Sequence, residues 1–498
     1  MTTTNAAVRR YGHFIDGAWT DAATTSTITR RSPASGRLVA EFAEGTAVDA
    51  KGAVAAARAA FDAGPWRRMT GADRGGALHS VAERIRGAAE RLARIEVEES
   101  GKTIRTARGD IQGAATHFEH AAGLAGQLHG ETFNNLGDSL TGLNMREPVG
   151  VVGMIIPWNF PALILTQKLP YALAAGCSVV IKPSEITSGT ACEIVAFCAE
   201  AGIPPGVVNM VTGTGSVVGQ AIAESHQVDM VSFTGSTAVG RSVIAASAGN
   251  TKRLSLELGG KAATIVFADA DLEDALDGVL FSITFNQGEC CVSGTRLLVE
   301  SSIADGFLAR LVERAQRLRV GDPFDESTDI GALIHEEHLQ KVLDMVAAGH
   351  EDGARLLTGG KRLTGQAFDS GNFIAPTIFD GVAPEARIFQ QEIFGPVLSV
   401  TRFHGVEEAI GLANDTVYGL ANSVWTKNVD TALTVARGLE SGTVWVNTAI
   451  DGAPQLPLGG YKQSGYGREA GQMGMEEFTN VKSIQIRTGK RTPFYPVA

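Results

Sequence analysis

Four short apolar runs constrain this chain most: VGVVGMII ending near Ile156, CSVVI ending at Ile181, VVNMV ending at Val211 and DMVSF ending at Phe233. Each has the length of a strand, and a run apolar at successive positions belongs to a sheet covered on both faces. Helical patterns, GTACEIVAFCAEAG and GSVVGQAIAES, fill the gaps after the second and third runs. The stretch therefore reads as βαβαβ with a parallel sheet. Ligands of such sheets gather beyond the carboxyl ends of the strands. At those ends stand Pro157-Trp158-Asn159-Phe160, Lys182-Pro183-Ser184-Glu185, Gly213-Thr214-Gly215 and Thr234-Gly235-Ser236, which are polar or glycine-rich.

Around this stretch the pattern changes. From Asp49 to about Ala125, apolar and alanine positions recur at three- and four-residue spacing, a helical lead-in. ETFNNLGDSLTGLNMREP then reads as an extended excursion or hairpin. After the fourth run, RLSLEL leads into Gly259-Gly260-Lys261. A second α/β section follows from about Ala263, with strands such as ATIVF, LSVTRF and TVWVN. At 498 residues the chain exceeds what one core serves, so two or three domains are expected. It has neither a fixed-period repeat nor a low-complexity linker, so they should pack closely.

A net charge of −11 offers no footprint for nucleic acid or an anionic membrane, which leaves a small molecule as the expected partner. The apolar stretch from Tyr171 to Ile181 is too short to span a bilayer, and MTTTNAAVRRYGHF lacks the core of a signal peptide. A soluble, cytoplasmic protein is expected. Five cysteines, Cys177, Cys192, Cys198, Cys290 and Cys291, form no regular framework, which suits a reducing compartment. Two of them are adjacent, where a disulfide is strained, so a working thiol is the better question.

In FTGSTAVG, Gly235 and Gly240 flank a strand-to-helix turn whose backbone N–H groups could hold a pyrophosphate, although the spacing is not GxGxxG. A plain glycine turn is the bland alternative. Lys182 and Glu185 could bind the hydroxyls of an adenosine ribose, or be a solvated pair. A carboxylate there repels a 2′-phosphate and favours NAD over NADP, with NADP possible. FNQGECCVSGTR sets its cysteines among small residues that let a substrate approach. Free cysteines are often inert and buried, and activation needs a base, a positive end or backbone donors. No histidine lies close by in sequence, which counts against a Cys-His protease. His335-Glu336-Glu337-His338 is not HExxH and reads as a solvated helix face, so no metal is expected. His117 and His120 share a helical face and read as ordinary.

FTGSTAVG, LELGGK, the FNQGECC segment, QQEIFGPV and PLGGYKQSGYGRE occur in the order and roughly the spacing of the aldehyde dehydrogenase superfamily, and the resemblance covers nearly the whole chain. It implies an NAD(P)-dependent, hydrolytic enzyme with Cys291 as nucleophile. The oxyanion would be held by the Asn159 amide and the Cys291 backbone N–H. Glu257 would be the base for water, with Lys168 and Glu469 relaying its proton. Cofactor contacts are implied for Ile156, Pro157, Trp158, Lys182, Ser184, Glu185, Gly215, Thr234, Gly235, Ser236, Gly240, Leu258, Glu392 and Phe394. Arg468 is left as structural.

The substrate funnel would comprise Phe160, Ile164, Gln167, Phe285, Cys290, Val292 and the loop from Ile450 to Gln455. This chain departs from the commoner pattern at Ala262-Ala263-Thr264, Leu458 and Gln167, so the funnel is less aromatic than in many relatives. Quaternary ammonium aldehydes and semialdehyde carboxylates are unsupported, which leaves aliphatic, aromatic or amino-aldehydes.

The fold class implied is α/β. A parallel-sheet dinucleotide-binding domain (1–128 and 149–258) joins an α/β catalytic domain (259–478) and a small β oligomerisation element (129–148 and 479–498). A homodimer or homotetramer is expected, since a terminal strand such as SIQIRT is best covered by a neighbour's sheet. The rivals are a CoA-acylating enzyme and a catalytically silent protein on the same fold.

Overall fold

The computed structural model describes residues 7–491 and 493–495. The opening MTTTNA, on which the reading of the chain's start partly rests, and the last positions of the 479–498 element lie outside the described residues.

The four apolar runs form the strands Val151–Ile155, Ser178–Lys182, Val208–Met210 and Met230–Thr234, joined by Arg253–Glu257 in one parallel array. Val151–Ile155 lies between Met230–Thr234 on one side and Ser178–Lys182 on the other. The chain first builds outward through Ser178–Lys182 and Val208–Met210, then returns to the opposite side. That reversal opens a crevice at the strand ends, beside Pro157 and Gly235.

Short antiparallel strands complete the sheet to eight: His13–Ile15 and Ala18–Thr20 at one edge, Gly465–Tyr466 at the other. The helical lead-in resolves into Ala47–Ala63, Gly71–Gly87, Ala89–Ser100 and Ile104–Ala125. The first of these starts at a Thr46–Asp49 capping box. It lays Ala50, Ala53, Val54 and Ala57 on the sheet at the i, i+3, i+4, i+7 spacing of a helical face.

The second sheet has seven strands, in the order Arg355–Thr358, Thr377–Asp380, Val397–Phe403, Arg296–Glu300, Ala263–Val266, Ala421–Trp425 and Thr443–Val446. Only the first pairs antiparallel. Its two faces carry separate buried clusters, so this section has its own core.

The chain returns to the first body before residue 479. Gly465–Tyr466 pairs with Arg253–Glu257, and Ala470, Met475 and Phe478 join the core under the first sheet. Apolar residues on that last helix, Gly471–Glu477, need a covered face and find it there.

Thr479–Arg487 pairs antiparallel with Leu140–Pro148 along nine positions, and Glu131–Phe133 completes a three-stranded sheet. Val481 (58% exposed) and Ile486 (45%) face outward on its edge strand. Among the described residues, no helix is long and apolar enough to cross a membrane.

Candidate active site

Helix Leu272–Thr284 runs into a turn in which Asn286, Gln287 and Gly288 all have positive φ (50°, 57° and 75°). The turn lifts Cys291 into the cleft between the two sheets while Cys290 stays buried. Close packing fixes the loop on two sides. A Cβ at Gly288 would stand 2.3 Å from the Gly395 carbonyl carbon, and one at Gly260 would stand 2.2 Å from the Cys291 carbonyl oxygen. Glycine is required at both positions because backbone, which cannot swing aside, occupies the space.

The adjacent Cys290 thiol, burial and the charges of Glu392 and Glu257 hold the Cys291 thiol well above its ordinary range, while Cys290 is lowered. Cys291 therefore keeps its proton until a base takes it.

Asn159 is buried and lines the same cleft. Its Nδ2 donates to the Glu289 carbonyl at 3.0 Å, which uses one amide hydrogen and leaves the other for a ligand.

Glu257 ends its strand buried, and its Oε1 has no partner among the described residues. Burial pushes its carboxyl up to about 7, against the pull of Lys168 and Arg468. Lys168 in turn donates to Ser232 Oγ at 3.0 Å and forms a buried ion pair with Glu469. Lys168 and Glu469, 301 residues apart in sequence, thus meet beside Glu257.

The cleft has a volume of about 680 Å³ and is lined by Trp158, Thr234, Ser236, Leu258, Glu392 and Phe394, among others. Lys182 and Glu185 pair at 2.7 Å past their strand. Ser184 is buried nearby, and Gly215 begins the turn facing Lys182 Nζ. Gly235 and Gly240 flank the start of helix Thr237–Ala246, and their own N–H groups are bonded within the protein. The Gly235 N–H is bonded to the Glu257 carbonyl and the Gly240 N–H to that of Ser236. Both glycines instead allow close packing: a Cβ would strike the Phe233 ring at 2.6 Å and Leu258 at 2.6 Å, respectively. The buried Thr234 hydroxyl has no partner among the described residues. Glu392 accepts the Gly260 N–H at 3.1 Å, and burial pushes it up to about 7.

His338 corrects the expectation of a solvated helix face. It is buried, its ring packs edge-on to Trp158 at 5.6 Å, and its Nε2 bonds the Phe394 carbonyl at 2.7 Å. Phe394 has φ +63°, and that bond helps to hold it there. Gly259 of LELGGK also lines the cleft, as do Lys341 and Arg387, which carry no motif signal. Of the funnel residues, Ile164 opens on the cleft. Phe160 is buried and stacks on Phe285 at 5.6 Å, while Gln167 and Val292 are half-buried. The Pro454 carbonyl in the 450–455 loop accepts from Gly471 N and from the Tyr171 hydroxyl, which also bonds His117. A groove of about 800 Å³ near Arg319 and Pro376 contains none of the candidate residues.

Comparison with known proteins identifies the family and the fold. The family model described as "Aldehyde dehydrogenase family" matches residues 19–484. The betaine aldehyde dehydrogenase of Bacillus subtilis (strain 168) is 45% identical over 476 residues, 95% of this chain and 97% of that protein. The NAD-dependent aldehyde dehydrogenase of Sinorhizobium meliloti superposes with a TM-score of 0.96 at 48% identity, over 98% of this chain and 96% of that one. The betaine aldehyde dehydrogenase of Staphylococcus aureus, crystallised with NAD+, gives 0.96 at 38% identity, over 98% and 97%.

Proposed function

The chain belongs to the aldehyde dehydrogenase family, and from that premise we propose that Cys291 attacks the aldehyde carbon and that Glu257 activates the water that releases the acid. It is an oxidoreductase that converts an aldehyde to the carboxylic acid with NAD+. The observation that carries the assignment of residues is their convergence: a partly open thiol and an amide with a spare hydrogen line one cleft, and the buried Glu257 carboxyl, whose charge acts on that thiol, directly precedes Leu258 in the cleft wall.

The cofactor fits the residues present. Lys182 and Glu185 suit a ribose, the unpartnered Thr234 hydroxyl and the start of helix Thr237–Ala246 suit the phosphates, and Glu392 and Phe394 suit the nicotinamide end. Bound NAD+ supplies the two-electron acceptor.

Cys291 reaches the aldehyde as thiolate once Glu257 has taken its proton, which the raised acidity range of that carboxyl permits near neutrality. The S–C bond gives a thiohemiacetal whose oxyanion receives the free Asn159 hydrogen and the Cys291 N–H. Oxidation leaves a thioester on Cys291. Lys168 and Glu469 pass the thiol proton outward from Glu257, which, ionised again, deprotonates water; attack of that water on the thioester breaks the S–C bond and returns Cys291 as thiolate, and the second proton leaves by the same pair. Release of free acid from NAD+ and aldehyde in a CoA-free assay tests the hydrolytic reading. Strict dependence on CoA contradicts it. The aldehyde itself is aliphatic, aromatic or amino-substituted, and a panel of such substrates read by NADH absorbance ranks them.

Glu185 makes NAD+ the preferred cofactor, since its charge opposes a 2′-phosphate. Glu185→Gln is expected to improve kcat/KM for NADP+ relative to NAD+ by roughly tenfold, about 1.4 kcal/mol, in steady-state assays. An unchanged ratio removes this role. Gly260→Ala drives a Cβ into the Cys291 carbonyl oxygen. Because a displacement near 1 Å costs roughly 10²-fold, kcat should fall by that factor while NAD+ still binds in a fluorescence titration.

The cofactor domain comprises 1–128 and 149–258 together with the returning segment 465–478, the catalytic domain 259–464, and the oligomerisation element 129–148 with 479–498. The exposed Val481 and Ile486 edge supports homodimer or homotetramer assembly. The cysteine content supports a cytoplasmic location.

A further inference from the structure

Glu289 stands two residues before Cys291, buried to 1% exposure, and the chemistry above does not use it. Its Oε1 accepts the Ile334 backbone N–H at 2.8 Å, and Gln287 Nε2 donates to its Oε2 at 3.4 Å. Its own carbonyl receives Asn159 Nδ2 and Asn286 Nδ2, each at 3.0 Å. Asn286 Nδ2 also reaches the Asn159 carbonyl at 3.1 Å.

The segment so tied is strained. Asn286 and Gln287 both have positive φ, a conformation that persists only where surroundings enforce it. Ile334 offers a firm anchor, because its carbonyl is itself bonded by the buried Arg30 at 2.9 Å, and Arg30 also bonds the Glu99 carbonyl. The side chain of Glu289 thus fastens the loop to a separate part of the fold, and its main chain aims the amide of Asn159.

We infer that Glu289 is the positioning residue of the oxyanion site: its buried side chain fixes the strained loop so that its carbonyl orients Asn159 and Cys291 stands in register with that amide. This rests on the roles given above to Asn159 and Cys291. What the site uses is reach and an acceptor oxygen, not charge. Burial pushes the Glu289 carboxyl well above its ordinary range, so a neutral amide of the same length suits the same place.

Three variants separate these properties. Glu289→Gln keeps length and an acceptor, Glu289→Asp keeps the acid but falls one methylene short, and Glu289→Met keeps the volume without an acceptor. For Gln, kcat should stay within about threefold of wild type, and for Asp and Met it should fall roughly 30- to 100-fold, with the Kd for NAD+ within about threefold throughout. Iodoacetamide labelling of Cys291, resolved by peptide mass spectrometry, should slow about tenfold in Asp and Met and not in Gln. Folded Asp or Met protein with wild-type kcat overturns the inference, as does Gln losing as much as Met. If Met does not fold, Asp carries the comparison. A wild-type enzyme that releases no acid would instead strike the reading of the site itself.

Discussion

Cys291→Ser is expected to lower aldehyde-dependent NADH formation by roughly 10⁴-fold or more, the scale seen when a nucleophile that works as part of a unit is removed. A serine hydroxyl is far less acidic than a thiol, and Glu257 near 7 cannot hold it ionised. Cys290 cannot take over. It is buried and is not among the residues that line the cleft. Cys290→Ser should therefore retain most turnover. Neither change touches Lys182, Thr234 or Glu392, so NAD+ affinity by fluorescence titration should be unaltered. Full activity in Cys291→Ser would refute the nucleophile assignment.

Glu257→Gln should cost roughly 10²- to 10⁴-fold in kcat, the range for loss of a general base. The pH dependence follows from the sign of the shift. A carboxyl raised to about 7 is protonated below that pH and is a base above it. The wild-type rate should therefore rise through pH 7 to a plateau, and the Gln variant should lack that limb.

Stability moves the other way. Between the ordinary carboxyl value of 4.5 and about 7 the unfolded chain ionises first, so folding weakens as pH rises through this window. The full effect is of order 3 kcal/mol. Removing the ionisable group should leave the variant at least as resistant to thermal unfolding at neutral pH, so inactivity cannot be traced to misfolding.

The parallel strands were readable because buried strands are continuous apolar runs bounded by polar turns. Two of the four ends, Pro157–Asn159 and Thr234–Ser236, border the cleft, whereas Lys182–Glu185 and Gly213–Gly215 are not among its lining residues. The edge strands His13–Ile15 and Ala18–Thr20 were not readable. Each has three residues and is set by the neighbour it pairs with, not by a pattern of its own. The return of the chain at Gly465–Tyr466 escaped for the same reason.

At the site, the family resemblance singled out Cys291, Glu257 and Glu392, whereas contacts over long separations were invisible. His338 looked solvated because its neighbours Glu336 and Glu337 are charged. Only the fold turns its ring under Phe394. Glu289 sat inside a quoted motif, yet its buried bond to Ile334 joins segments 45 residues apart. Gly235 and Gly240 stand at the strand-to-helix turn that the residues suggested, but backbone amides that are already bonded cannot be inferred from residue type.

The most direct test of covalent catalysis is mass spectrometry of Glu257→Gln after mixing with aldehyde and NAD+. Acylation slows because Glu257 also takes the Cys291 proton, yet deacylation loses its water base, so the acyl group should accumulate on the peptide that carries Cys291, at up to one equivalent per chain, with NADH formed in matching amount. NADH formation without any adduct, or an adduct on Cys290 alone, would contradict the account.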